Sequence, residues 1–215
     1  MNKNILYLVI VALLIFNCLL IFKVSSSNSV VPREPEHSDS AALSLNKYYH
    51  MNNVVHSQLN NNLQLCGALE LTGIDNQVVT LKSMVAHGPK LIVRSNEKSC
   101  NACIENEIQK VQKFAKVIGD TNIIVITTFS NIRKSIVFRE TNHISLRIFT
   151  CPDLGMPFEK VNDKPFLFLL NPDLRVQNFF IPEISEGEVS QGYYSSIYKR
   201  YFRTSKDQPA DIPNL

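Results

Sequence analysis

The first long stretch of the chain is uniformly apolar. From Ile5 to Phe22 there are 18 residues without a charge, bounded by Lys3 and Lys23. As a helix this run spans about 27 Å, close to the roughly 30 Å hydrocarbon core of a bilayer. It predicts one transmembrane anchor at 5–22 behind a cytoplasmic head, residues 1–4. A cleaved export signal is the alternative, with Val24-Ser25-Ser26 as a poor cleavage site. Signal cores are shorter, about 7–15 residues, which favours the uncleaved anchor. The amino terminus and Lys3 favour the inside, so the remainder is expected outside, facing the periplasm or cell exterior.

Residues 23–62 change register. Ser, Pro and charged residues dominate 25–42, the composition of a flexible linker. Then Leu45, Tyr48, Met51, Val55 and Leu59 recur at spacings of 3, 3, 4 and 4, one face of an amphipathic helix over about 43–59 that ends in an Asn run. Such a helix packs on the domain after it, serves as a spacer, or pairs with another copy.

From residue 63 short apolar runs alternate with helical patterns. Gln77–Leu81 and Lys90–Arg94 read as strands, and a helix from about Cys100 carries Ile104, Ile108, Val111, Phe114, Ala115 and Ile118 on one face. Gly119-Asp120 ends it. Asn122–Thr128 is a buried β-branched strand, Ser130 a candidate cap for a helix over 131–140, and Ile144–Phe149 another strand. Phe166–Leu170 and Val176–Ile181 flank an Asn-Pro-Asp-Leu turn as a hairpin, and Ser185 opens a last helix. The order β-β-α-β-α-β-β-β-α describes an α/β domain over 63–205, a mixed sheet with helices on both faces, before a tail at 206–215.

Composition narrows the function classes. The 215 residues are 45% apolar and 19% charged, enough to bury a core. A net charge of +3, part of it at Lys3 and Lys23, leaves the domain nearly neutral, with no basic stripe for nucleic acid. Only seven glycines and no tryptophan argue against Gly-rich nucleotide loops.

The candidate chemistry is Cys100-Asn101-Ala102-Cys103, where a strand runs into a helix. At a helix N-terminus the unpaired N–H groups and the macrodipole stabilise a thiolate, which makes Cys100 the nucleophile and Cys103, one turn on, the resolving thiol. The strand-CxxC-helix unit, preceded by Gly73–Leu81 and followed by Asp163-Lys164-Pro165 ahead of a strand-turn-strand, resembles the thioredoxin fold. More narrowly it resembles the membrane-anchored TlpA/ResA-type thiol-disulfide oxidoreductases of bacterial envelopes. The resemblance implies a cis Pro165 facing the cysteine pair, with the Lys164 backbone contacting an extended substrate. Ser99 stands where that family has an aromatic residue, and Arg94 stands where thioredoxins carry a buried acid; with Asn101 and Ala102 these are the positions that tune the motif. Arg94, or the nearer Lys98, either stabilises the Cys100 thiolate or points to solvent.

Cys66 and Cys151 are either bridged or buried as free thiols, and the five histidines form no metal-ligand spacing with the pair. The peroxiredoxin loop Pro-x-x-x-(Thr/Ser)-x-x-Cys is absent. The expected function is a tethered thiol-disulfide oxidoreductase without cofactor or metal. Its partners are a protein disulfide or dithiol, a redox partner protein and the membrane, not nucleic acid. The alternative is a thioredoxin-like binding or redox-sensing module with a structural or slowly switching disulfide.

Overall fold

The computed structural model describes residues 13–15, 36–99, 101–183 and 187–203. The anchor expected at 5–22 lies outside the described residues except for helical Leu13, Leu14 and Ile15. The tail at 206–215, the whole of the tether before Glu36 and the Ser185 cap lie outside them too. Among the described residues no helix is long and apolar enough to cross a membrane. Residues 48–215 form one compact unit and residues 1–47 another.

Among the described residues seven strands make one mixed sheet: β1 (Glu70–Gly73), β2 (Val78–Thr80), β3 (Lys90–Ser95), β4 (Ile123–Thr127), β5 (Arg147–Thr150), β6 (Phe166–Leu170) and β7 (Val176–Phe180), in the order β2-β1-β5-β4-β3-β6-β7. β3, β4 and β5 run parallel; β6 is antiparallel to β3, β7 to β6, and β1 to both β5 and β2. All residues of β3, β4 and β6 are buried, which is why they read as continuous apolar runs.

Alternation within those strands sorts the core into two layers. Leu91, Val93, Ile123, Val125, Leu167 and Leu169 face α3 (Asn101–Ile118), α4 (Ile132–Thr141) and α6 (Gly187–Ile197). Ile92, Ile124, Ile126, Phe166, Phe168 and Leu170 face the other way, against α2 (Leu81–Val85) and α5 (Pro157–Val161). The expected stripe of α3 is buried in full, from Ile104 to Ile118. Gly119, at φ 90°, terminates it with its N–H on the Ala115 carbonyl.

Several boundaries differ from expectation. Asn131, not Ser130, caps α4, its side chain accepting from the Arg133 N–H at 2.8 Å. β5 begins three residues later than expected, because Ile144 and Leu146 enter the core from the preceding loop. β1, α2 and α5 carry no sequence signal: each has four or five residues, too few to show a period.

The largest departure is α1 (Glu36–Asn60), which begins seven residues before the amphipathic helix expected at about 43. Its polar side docks on the sheet. Asn53 donates to the Ile181 carbonyl at 2.9 Å and accepts from the Ile181 N–H at 2.8 Å, while His56 packs edge-on against Phe158 at 4.8 Å. After the helix, Asn61 accepts from the Phe179 N–H, and Asn62 and Leu65 donate to the carbonyls of Val176 and Leu174. The Asn run that reads as a helix end therefore also lines the free edge of β7. Ile181 is buried, so Asn53→Ala leaves two backbone groups unpaired. A loss of about 1–3 kcal/mol is expected, read as a lower urea midpoint with an unchanged slope.

Candidate functional site

The motif sits at the carboxyl end of the parallel strands, where open α/β sheets place their ligands. Ser95 ends β3, residues 96–99 turn, and α3 begins at Asn101. Cys100 lies outside the described residues. Asn101, Ala102 and Cys103 are in the first turn of α3, and only their backbone is described.

Three loops meet at the turn before the motif. Ser99 Oγ donates to the Asp163 carbonyl at 2.6 Å and accepts from the Asn96 N–H at 3.1 Å. Asn96 Nδ2 donates to Asp163 Oδ1 at 2.8 Å, and its Oδ1 accepts from the Lys98 N–H at 3.0 Å. Thr128, just after β4, accepts from the Glu97 N–H at 2.8 Å, and Glu97 pairs with Lys134 of α4. Ser99, which replaces an aromatic residue in the resembled family, thus ties the motif loop to Asp163-Lys164-Pro165. A cleft of about 330 Å³ beside this junction is lined by Asn96, Lys98, Asp153, Lys160 and Asp163 among others.

Pro165 is buried at the start of β6, but its peptide bond is trans: the described residues contain no cis bond. This corrects the cis expectation. Trans is the default for an X-Pro bond by about 0.5–1 kcal/mol. The approach to β6 is held by the Ser99–Asp163 bond and by the Lys164 N–H on Asn162 Oδ1 at 3.0 Å. The Lys164 ammonium pairs with Glu183 at 2.6 Å.

Arg94 points inward. It is 1% exposed, and every nitrogen of its guanidinium is engaged: Nε and one terminal nitrogen on Glu159 Oε1 at 2.6 and 2.5 Å, that terminal nitrogen also on the Pro152 carbonyl at 3.2 Å, and the other on the Cys151 carbonyl at 2.7 Å. Glu159 Oε2 accepts from the N–H groups of Leu154 and Met156. Burial pushes the Glu159 carboxyl up, and the Arg94 charge opposes it. Lys98, by contrast, is exposed.

Cys66 and Cys151 are both free, so neither expectation for them holds in full: no bridge forms, and only Cys151 is buried. The Cys151 thiol donates to the Asp153 carbonyl at 3.3 Å, and burial raises its pKa. That is an inert thiol.

Sequence reading misses a buried titratable cluster on α3. Glu107, 2% exposed and one turn beyond Cys103, accepts from the Tyr194 hydroxyl and pairs with Lys110 at 3.4 Å, while Lys110 reaches Ser190 at 3.3 Å. Burial pushes the Glu107 carboxyl above its ordinary 4.5, against the pull of Tyr194 and Lys110. The same burial raises both Tyr193 and Tyr194, and the Tyr193 hydroxyl has no partner among the described residues. The available signal is a pair of charged positions, Glu107 and Lys110, interleaved with the apolar stripe of α3 and not opposite it.

No protein-family model matches the sequence, and no curated protein is significantly similar to it. Solved structures are similar in shape. A candidate protein disulfide isomerase from Bacteroides thetaiotaomicron superposes with a TM-score of 0.50 at 14% identity, covering 65% of this chain and 89% of that one. A candidate thiol:disulfide interchange protein DsbE from Chlorobium tepidum gives 0.49 at 11% identity, over 64% and 97%. Peroxidoxin BcpB from Mycobacterium tuberculosis gives 0.47 at 16%, over 68% and 99%. The fold of this chain is thioredoxin-like.

Two measurements probe the buried charges. Arg94→Met strands the Glu159 carboxylate and is expected to cost about 3–5 kcal/mol; adding Glu159→Gln returns a large part of that loss in chemical denaturation. For Glu107 the raised value means that the fold favours its protonated form. That contribution is complete below pH 4.5 and is lost as pH rises through the elevated folded value. Glu107→Gln is therefore expected to remove a decline in stability toward neutral pH that the parent shows; parallel stability-pH curves would count against it.

Proposed function

We propose that the chain is a membrane-tethered thiol-disulfide oxidoreductase of the cell envelope, with Cys100 as nucleophile and Cys103 as resolving thiol. The observation that carries this reading is the junction at Ser99. The residue before the CxxC motif is bonded to the loop that leads into Pro165, so the two segments that would meet a disulfide substrate are held side by side. The thioredoxin-like fold supports it, and so does the start of α3 at Asn101, whose first N–H groups favour a thiolate at its N-terminus.

In the reductive direction the Cys100 thiolate attacks one sulfur of the substrate disulfide, forming a mixed disulfide and expelling the other substrate sulfur as a thiolate. The Cys103 thiolate then attacks the Cys100 sulfur and expels the second substrate thiolate. Two electrons pass to the substrate, the Cys100–Cys103 disulfide remains, and the released thiolates take protons from water. A redox partner protein restores the dithiol; the reverse sequence describes an oxidant. Lys164 and Pro165 border the substrate segment, and Ser99, Asn101, Ala102 and Arg94 tune the pair. The 18-residue uncharged run supports placement at the membrane with the domain outside.

A redox-sensing or binding module is the second reading, favoured by Arg94. The position that carries a buried acid in thioredoxins holds a cation whose three guanidinium nitrogens are all engaged by protein oxygens. The reduction potential separates the two: a value below about −300 mV marks a structural bond. Under the enzymatic reading, Cys100→Ser abolishes disulfide reduction or dithiol oxidation, and Cys103→Ser accumulates a mixed disulfide through Cys100. Full activity in the first variant, or no trapped species in the second, overturns it.

A further inference from the structure

Helix α1 is turned against the usual rule for a helix beside a core. The side that meets the domain is polar, with Asn53 bonded to both backbone groups of Ile181, and Asn60 accepting from the Phe158 N–H. The apolar stripe looks outward: Met51 is 56% exposed, Val55 48% and Leu59 61%, with Val54 at 40% beside them. Surface helices bury that stripe, and among the described residues Met51, Val54, Val55 and Leu59 stay exposed. Isolated exposed apolar residues need no explanation, but a row at i, i+4, i+8 is a patch.

We propose that this stripe is the seam of a parallel dimer formed with a second copy of the chain. From Leu45 to Leu59 the apolar positions advance 14 residues in four steps, a mean of 3.5, which fits the heptad period of a left-handed coiled coil. The helix is 25 residues, about 37 Å or some seven turns, which is adequate for a short two-stranded coil. Its charge argues against a lipid surface as the occupant. Between Glu36 and Asn60 it carries one lysine, Lys47, against Glu36 and Asp39, whereas helices that lie in the bilayer interface bring Lys and Arg on their polar face. Here the polar face is occupied by the domain. The parallel arrangement rests on the membrane reading above: anchors of one orientation bring α1 helices together parallel and raise their local concentration. The stripe itself does not depend on that reading.

The test uses the full chain reconstituted in lipid vesicles, with Cys66→Ser to remove the exposed thiol. Met51→Cys and Val55→Cys are each expected to form an intermolecular disulfide under mild oxidation, and His50→Cys, exposed but off the stripe, is not. A Val55→Glu, Leu59→Glu double variant is expected to lose self-association in detergent micelles while keeping the thermal transition of the domain. Equal cross-linking at position 50, or a monomeric parent chain in micelles, overturns the proposal. So does a Val55→Cys thiol that lipid shields from a water-soluble maleimide without cross-linking. Thiol exchange is scored separately through Cys100→Ser: cross-linking that persists beside inactive cysteines leaves the seam standing and removes the enzymatic reading.

Discussion

A full positive charge at the inner end of a fully buried strand is the constraint around which this domain is arranged. Arg94 lies on β3 with every residue of the strand buried, and an unpaired guanidinium there is untenable. The chain satisfies it by bringing Glu159 across from α5 and turning the carbonyls of Cys151 and Pro152 inward. Glu159 in turn gathers the N–H groups of Leu154 and Met156. One charge pair therefore organises the whole connection from β5 to α5, and that connection leads into the Asp163-Lys164-Pro165 loop beside the cysteine motif.

The sheet carries a second buried carboxyl on its other side. Glu107 belongs to α3 and the layer that includes α6; Glu159 belongs to the layer of α2 and α5. The two are resolved differently. Glu159 meets two guanidinium nitrogens on one oxygen and two backbone donors on the other, a set that stabilises a carboxylate. Glu107 meets a phenol and a more distant ammonium, which oppose the upward push of burial. Below one motif the protein thus holds a carboxyl on each face of the sheet that burial pushes up, one opposed by a guanidinium and the other by a phenol and an ammonium.

How far the sequence can be read follows from the length and period of each signal. The stripe of α3, the β-branched run of β4 and the hairpin at Asn171–Leu174 are legible because each repeats over several residues. The five-residue helix α5 repeats nothing, so Glu159, the partner of Arg94, cannot be found from the sequence, and Arg94 stands there between a thiolate and solvent. Glu107 is hidden because a charge inside an apolar stripe reads as an interruption until α6 supplies Tyr194 and Ser190. The pattern of α1 is amphipathic in sequence and in structure, but periodicity cannot tell which side a helix presents when the polar side has better hydrogen-bond partners. The Pro165 geometry comes from resemblance alone, and there the local bonds at Ser99 and Asn162 prevail.

The segment after α1 does more than leave the helix. Asn62 and Leu65 donate to the carbonyls of Val176 and Leu174, the Val176 N–H donates to Leu63, and Asn61 and Asn53 take the N–H groups of Phe179 and Ile181. β7 is the last strand of the sheet on that side, and an open last strand is a template for any extended chain it meets. At the opposite margin, β2 has only three residues. The sheet thus offers little purchase for strand addition at either margin, which guards the domain against joining a neighbouring chain edge to edge.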